Sequence, residues 1–252
     1  MGVGQRFARD KDGKTYIVPS DMTYAEWKQK FVDNSAESGI INTYKNNGFN
    51  VAFKGEFSRD TIKKVEKATK KVEKDFPILK QYSEPIVFGV VDGGGYAITN
   101  YNSETGLTRI ILNKDSFSNV EELLKSLDSH FIKGISYKTK NIESLVAHEM
   151  GHSAHIALAL KRAKIMYGVP LRGEHLIRFN EEYLKIQQDI YIVAFDSETY
   201  DEIQNVCIEQ LGFMTKEKPK ELIAQSFGNY YYGENESSVA RKIVSYFMKE
   251  LN

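Results

Sequence analysis

The most constraining feature of this chain is a pair of histidines four residues apart with a glutamate between them, in Ser144-Leu145-Val146-Ala147-His148-Glu149-Met150-Gly151-His152. On a helix, His148 and His152 lie one turn apart on one face, and both rings can reach a single point in space. The flanks ask for a helix. Asn141 is a good N-cap, Glu143 suits the first turn, and Ile142, Leu145, Val146 and Ile156 supply an apolar stripe on the opposite face. The expected element is an amphipathic helix with the imidazoles on its polar side.

Two imidazoles so placed are a site for zinc, which binds histidine nitrogen at about 2.0–2.1 Å. Glu149 then flanks the ion instead of binding it. In that position it can act as a general base on a water whose pKa the metal lowers to about 7, and later pass the proton to a leaving amine. Zinc in a catalytic site takes three protein ligands and leaves one position open. A third histidine six residues beyond His152 is excluded, because Leu158 stands there. Glu221, which opens a late helix just after Pro219, is the best candidate, with His175, Glu181, Glu182 and Asp189 as rivals. His155 is a candidate for lining the cleft or supporting the ligands. One zinc per chain is expected.

The rest of the composition narrows the class. Among 252 residues, 34 basic side chains balance 34 acidic ones, so the global basic excess of a nucleic-acid binder is missing and no nucleic-acid partner is expected. Cys207 is the sole cysteine, which excludes an internal disulfide and a cysteine-type zinc site; it is expected to be buried in a helix. No apolar run reaches membrane-spanning length, and the start of the chain lacks an apolar signal core. A cytoplasmic or virion-associated protein without a membrane partner is the expectation.

Along the chain, residues 1–34 read as a tail or linker: Asp10-Lys11-Asp12-Gly13 is turn chemistry, and Met22, Tyr24, Trp27 and Phe31 outline a short helix. Residues 35–252 read as one domain. Ile62, Val65, Ala68, Val72, Phe76 and Leu79 form one helical stripe, with Lys63, Lys64, Lys67, Lys70, Lys71 and Lys74 on a solvated face. Strands are expected at 86–91, 96–101 and 107–112, with a glycine-rich turn at 92–95, giving a small, mostly antiparallel sheet. Helices follow near 142–166, 173–194, 198–211, 219–232 and 236–251. The fold class is α+β, mainly α.

Two stretches resemble known families. Glu221-Leu222-Ile223-Ala224-Gln225-Ser226-Phe227 resembles the E-x-x-A-E-x-F segment of the glutamate zincins related to anthrax lethal factor, and the element order over 55–252 is similar. The resemblance implies a zincin-like fold (long helix, small sheet, HExxH helix, helical C-terminal lobe) and a zinc-dependent peptidase acting on a peptide or protein. It implies zinc held by His148, His152 and Glu221, with Glu149 catalytic. Gln225 stands where relatives carry a supporting glutamate, and Met214 where many carry an oxyanion-stabilising tyrosine, so Tyr230, Tyr231 or Tyr232 becomes the candidate substitute. The substrate is expected to add to an edge strand formed by Arg109, Ile110, Ile111, Leu112 and Asn113. Separately, residues 9–14 and 18–27 resemble the C-terminal tail of phage minor head proteins. That implies capsid or portal partners through the tail, and leaves two further readings: an inactive structural zincin, or a toxin delivered with a phage-like particle.

Overall fold

The computed structural model describes residues 57–91, 95–102, 105–132, 141–195, 219–234 and 237–252, and the backbone of two short strands, β1 (Arg6–Arg9) and β2 (Thr15–Val18). These two pair antiparallel, with Arg6 opposite Val18, across the stretch where turn chemistry is expected. The helices expected at 22–31 and 198–211, Cys207, Met214, the boundary at residue 34 and the glycines at 93–94 lie outside the described residues.

Helix α1 (Arg59–Asp75) begins where Ser58 Oγ accepts a hydrogen bond from the Thr61 amide at 3.0 Å. Its stripe is the one expected: Ile62, Val65, Ala68 and Val72 are buried, and Phe76 and Leu79 continue the apolar line beyond its end. Leu79 opens the short α2 (Leu79–Tyr82). Strand β3 (Val87–Gly89) follows, buried throughout, and then β4 (Ala97–Asn102) and β5 (Leu107–Asn113).

The sheet order is β3-β5-β4. β5 runs parallel to β3, with Val87 opposite Ile111, and antiparallel to β4, with Ala97 opposite Leu112 and Asn102 opposite Leu107. The sheet is therefore mixed: β4 and β5 pair antiparallel as expected, and because β5 runs back between β4 and β3 in the direction of β3, it adds a parallel pair that the mostly antiparallel expectation did not include. A second correction follows. Arg109 to Asn113 belong to the middle strand, whose two hydrogen-bonding edges are taken by β3 and β4. Among the described residues the outer strands are β3 and β4, and β4 is the one whose side chains are partly exposed.

Sequence reading places nothing between residues 113 and 141, yet two helices form there, α3 (Lys114–Ser118) and α4 (Val120–Ile132). Among the described side chains, Phe117, and Leu123 with Leu127 one turn later, anchor them in the core. The Asn113 side chain caps α3, accepting from the Asp115 amide at 3.1 Å.

Helix α5 (Ile142–Arg162) is capped as expected, Asn141 Oδ1 accepting from the Ser144 amide at 2.7 Å. It is not the one-sided helix the sequence suggested. Almost every residue from Ile142 to Leu160 is buried, because α1, α6 (Glu174–Phe195), α7 (Pro219–Tyr232), α8 (Ser238–Leu251) and strands β4 and β5 all pack against it. Ala147, Gly151, Ala154, Ala157 and Ala159 let the neighbours come close. A helix buried all round is the spine of its domain. Among the described residues, no helix is long and apolar enough to cross a membrane.

Candidate metal centre

The site lies where α5 crosses α7 beside the outer strand β4. Helical spacing alone turns the His148 and His152 rings to the same side, with centroids 4.9 Å apart and planes at 88°. Glu221 arrives from the first turn of α7, brought in by a close helix crossing. A Cβ on Gly151 would lie 2.8 Å from the Ala224 Cα and 3.0 Å from Phe227, and one on Gly228 would lie 3.0 Å from the Ser144 carbonyl oxygen. The two glycines, one on each helix, permit that approach. Ser144 Oγ adds a hydrogen bond to the Gly228 carbonyl at 3.2 Å.

Glu221 Oε2 ends 3.5 Å from the Nε2 atoms of both His148 and His152. That spacing is long for a hydrogen bond, which favours about 2.7–3.2 Å between nitrogen and oxygen. It matches two ligands of one tetrahedral zinc, which at bond lengths of about 2.0–2.1 Å stand about 3.3 Å apart. Among the described residues, these three form the group of histidine and carboxylate atoms that converge within 4.8 Å. Burial by itself would raise the Glu221 pKa, but the two imidazoles override it and hold the carboxyl far below the usual carboxylate range. The donor set, two imidazoles and one carboxylate, is the chemistry zinc takes in a catalytic site.

The rivals stand elsewhere. Asp189 is engaged by Arg162 at 2.7 Å, and His175, Glu181 and Glu182 do not join the convergent group.

Glu149 faces a cleft of about 200 Å³ that it lines with His148, His152, Glu221, Thr99 and Tyr183. The residue is only 4% exposed, and burial pushes its pKa upward, opposed by the nearby His152 and by a hydrogen bond from Thr99. Thr99 Oγ1 donates to Glu149 Oε2 at 2.6 Å and lies 3.1 Å from the Glu149 carbonyl oxygen. Lys220 adds an exposed ammonium to the rim.

His155 is at neither the surface nor the candidate ion. It is fully buried, stacks on Tyr183 at 3.8 Å and 14°, and donates from Nε2 to the Tyr183 carbonyl at 3.0 Å. Burial pushes its pKa down to about 3, so the ring is neutral. Gln225 is buried one helical turn after Glu221, on the same face.

The tyrosines proposed from sequence are spent on packing. Tyr231 donates to Asp75 Oδ2 at 2.9 Å, Tyr230 packs edge-on against Tyr231 at 5.0 Å, and the Tyr232 ring sits under the Lys71 ammonium at 4.5 Å. None of them lines the cleft. Arg109, expected to meet substrate, instead forms a buried ion pair with Glu84 at 2.7 Å. Thr99 and Tyr183 are what sequence reading missed. Thr99 gives no signal beyond a β-branched residue in a strand. Tyr183 belongs to the stripe Phe179, Tyr183, Ile186 and Ile190, which says that it faces inward but not what it faces.

No family model, curated protein or solved structure matches this chain.

Proposed function

We propose that this chain is a zinc-dependent peptidase, in which His148, His152 and Glu221 hold the ion and Glu149 is the general base. The observation that carries this reading is Glu221 Oε2 at 3.5 Å from both histidine Nε2 atoms, beside a buried glutamate that opens on the same cleft. Zinc bound there would supply a lowered water pKa and a polarised substrate carbonyl.

The chain's own groups supply the rest. Glu149 takes a proton from the attacking water as the new carbon–oxygen bond forms, and returns it to the amine nitrogen as the carbon–nitrogen bond breaks. Its burial favours this exchange, since a raised pKa brings a carboxylate closer to the working pH. Thr99 fixes the carboxylate orientation. The outer edge of β4 is suited to an extended peptide, which would add as a fourth strand through main-chain hydrogen bonds. Ala97, Ile98 and Thr99 of that strand line the cleft, so a peptide paired with β4 would pass the catalytic groups.

Glu149→Gln tests the reading. The substitution keeps the shape of the side chain and removes its ability to take a proton, so zinc content and fold should persist while cleavage of a peptide library falls to background. Unchanged turnover, or loss of the zinc, would assign Glu149 a different role.

A further inference from the structure

We propose that the Tyr183 hydroxyl donates the hydrogen bond that stabilises the oxyanion formed at the scissile carbonyl, and that His155 is the positioning residue that holds it there. The inference rests on the peptidase reading and adds a residue from a third helix, α6.

Water addition leaves negative charge on the former carbonyl oxygen, and a donor fixed in advance at that point lowers the barrier more than one that must be recruited. Tyr183 lines the same cleft as Glu149, His148, His152 and Glu221. Its ring has little freedom: one face stacks on His155 at 3.8 Å, Phe179 packs at 5.6 Å, and its own carbonyl accepts from His155 Nε2 at 3.0 Å. The hydroxyls of Tyr101, Tyr231 and Tyr246 are used inside the fold, on Val169, Asp75 and Asp189. Among the described residues the Tyr183 hydroxyl has no such partner, so its proton is available to a ligand in the cleft. Burial, reinforced by the Glu221 charge, pushes the phenol up to about 12, which keeps that proton in place at neutral pH.

His155 suits the clamp because it is neutral and fully buried. It sits three residues beyond His152 on α5, so the helix that presents the histidine pair also locks the tyrosine of α6. Lys220, the other donor on the cleft, is exposed on a long flexible stem and is the poorer candidate for a fixed contact.

The test uses the zinc-loaded full chain. Tyr183→Phe deletes one oxygen and should lower kcat about 100-fold, as loss of one oxyanion donor does, with KM and zinc content unchanged. A second readout needs no turnover: N-phosphoryl-Leu-Trp, whose tetrahedral phosphoryl group imitates the addition product, should bind Tyr183→Phe at least tenfold more weakly than wild type by calorimetry. His155→Leu, which removes both the stack and the donated bond, should lower kcat with zinc retained. Equal phosphoryl-dipeptide affinity for wild type and Tyr183→Phe, a raised KM with kcat intact, or a kcat loss found in Lys220→Met instead would overturn the assignment. A wild type that neither binds zinc nor cleaves peptide would remove the peptidase reading itself; an active wild type matched by Tyr183→Phe would remove only this inference.

Discussion

Thr99 Oγ1 donates to Glu149 Oε2 at 2.6 Å, tying the outer strand of the sheet to the carboxylate between the two histidines. Burial of a carboxylate that is only 4% exposed disfavours its charge, and a hydrogen bond to the charged form offsets part of that cost. Thr99→Val keeps the shape and deletes the bond. It should lower kcat about tenfold, in the range found for groups that orient a metal site's residues, while zinc content stays at the wild-type level. Steady-state kinetics with elemental analysis checks this.

Protein purified with zinc present should hold one ion per chain. His148→Ala and His152→Ala should lose it, and Glu221→Ala should cost most of the affinity, because it removes the oxygen that meets both imidazoles. Gln225→Ala, one turn behind, should cost about 10–100-fold. Competition with a chromophoric chelator ranks the four variants. An affinity indifferent to Glu221→Ala would reopen the search for the third ligand.

Gly151→Ala should damage both stability and metal binding. Its Cβ would lie 2.8 Å from the backbone of Ala224, which has no flexible side chain to move aside. Helices α5 and α7 must then separate, at about 1–3 kcal/mol for an overpacked core, and Glu221 moves with α7. Denaturant unfolding of the metal-free protein reads the first effect, and zinc titration the second.

His155 makes stability depend on pH. In the folded chain it stays neutral down to about 3, whereas in the unfolded chain it protonates near 6.5. Below 6.5 the unfolded state therefore binds a proton that the native state refuses, and stability falls with falling pH until about 3. The loss is about 2 kcal/mol between pH 8 and pH 5. His155→Phe keeps an aromatic ring but cannot titrate, so its metal-free stability should decline less over that interval by this amount. Parallel slopes from urea melts at the two pH values would show that His155 contributes no such linkage.

Local features were legible where short-range geometry decides them. Spacing of four residues on a helix turns His148 and His152 the same way in any fold. Asn141 and the apolar stripe of α1 specify helices by a hydrogen bond and by periodicity within a few residues. Glu221 stands out in the sequence as an acid opening a helix just after Pro219, and the fold brings its carboxylate oxygen to both histidines. Helices α3 and α4 were missed although Val120, Leu123, Leu124 and Leu127 follow the helical period, because the pattern is only two turns long and follows directly on a strand.

Pairing decided what the sequence could not. Arg109 to Asn113 carry the apolar residues of any strand, and only the order β3-β5-β4 makes them central and leaves β3 and β4 outermost. The apolar positions of α5 read as one stripe, yet seven elements, α1, α2, α6, α7, α8, β4 and β5, converge on it and leave almost no side to solvent. Thr99 meets Glu149 across 50 residues, and Tyr183 meets His155 across 28. Such contacts depend on how helices and strands dock over long chain separations. Helical period and capping act within a turn or two, and so carry no information about the docked partner.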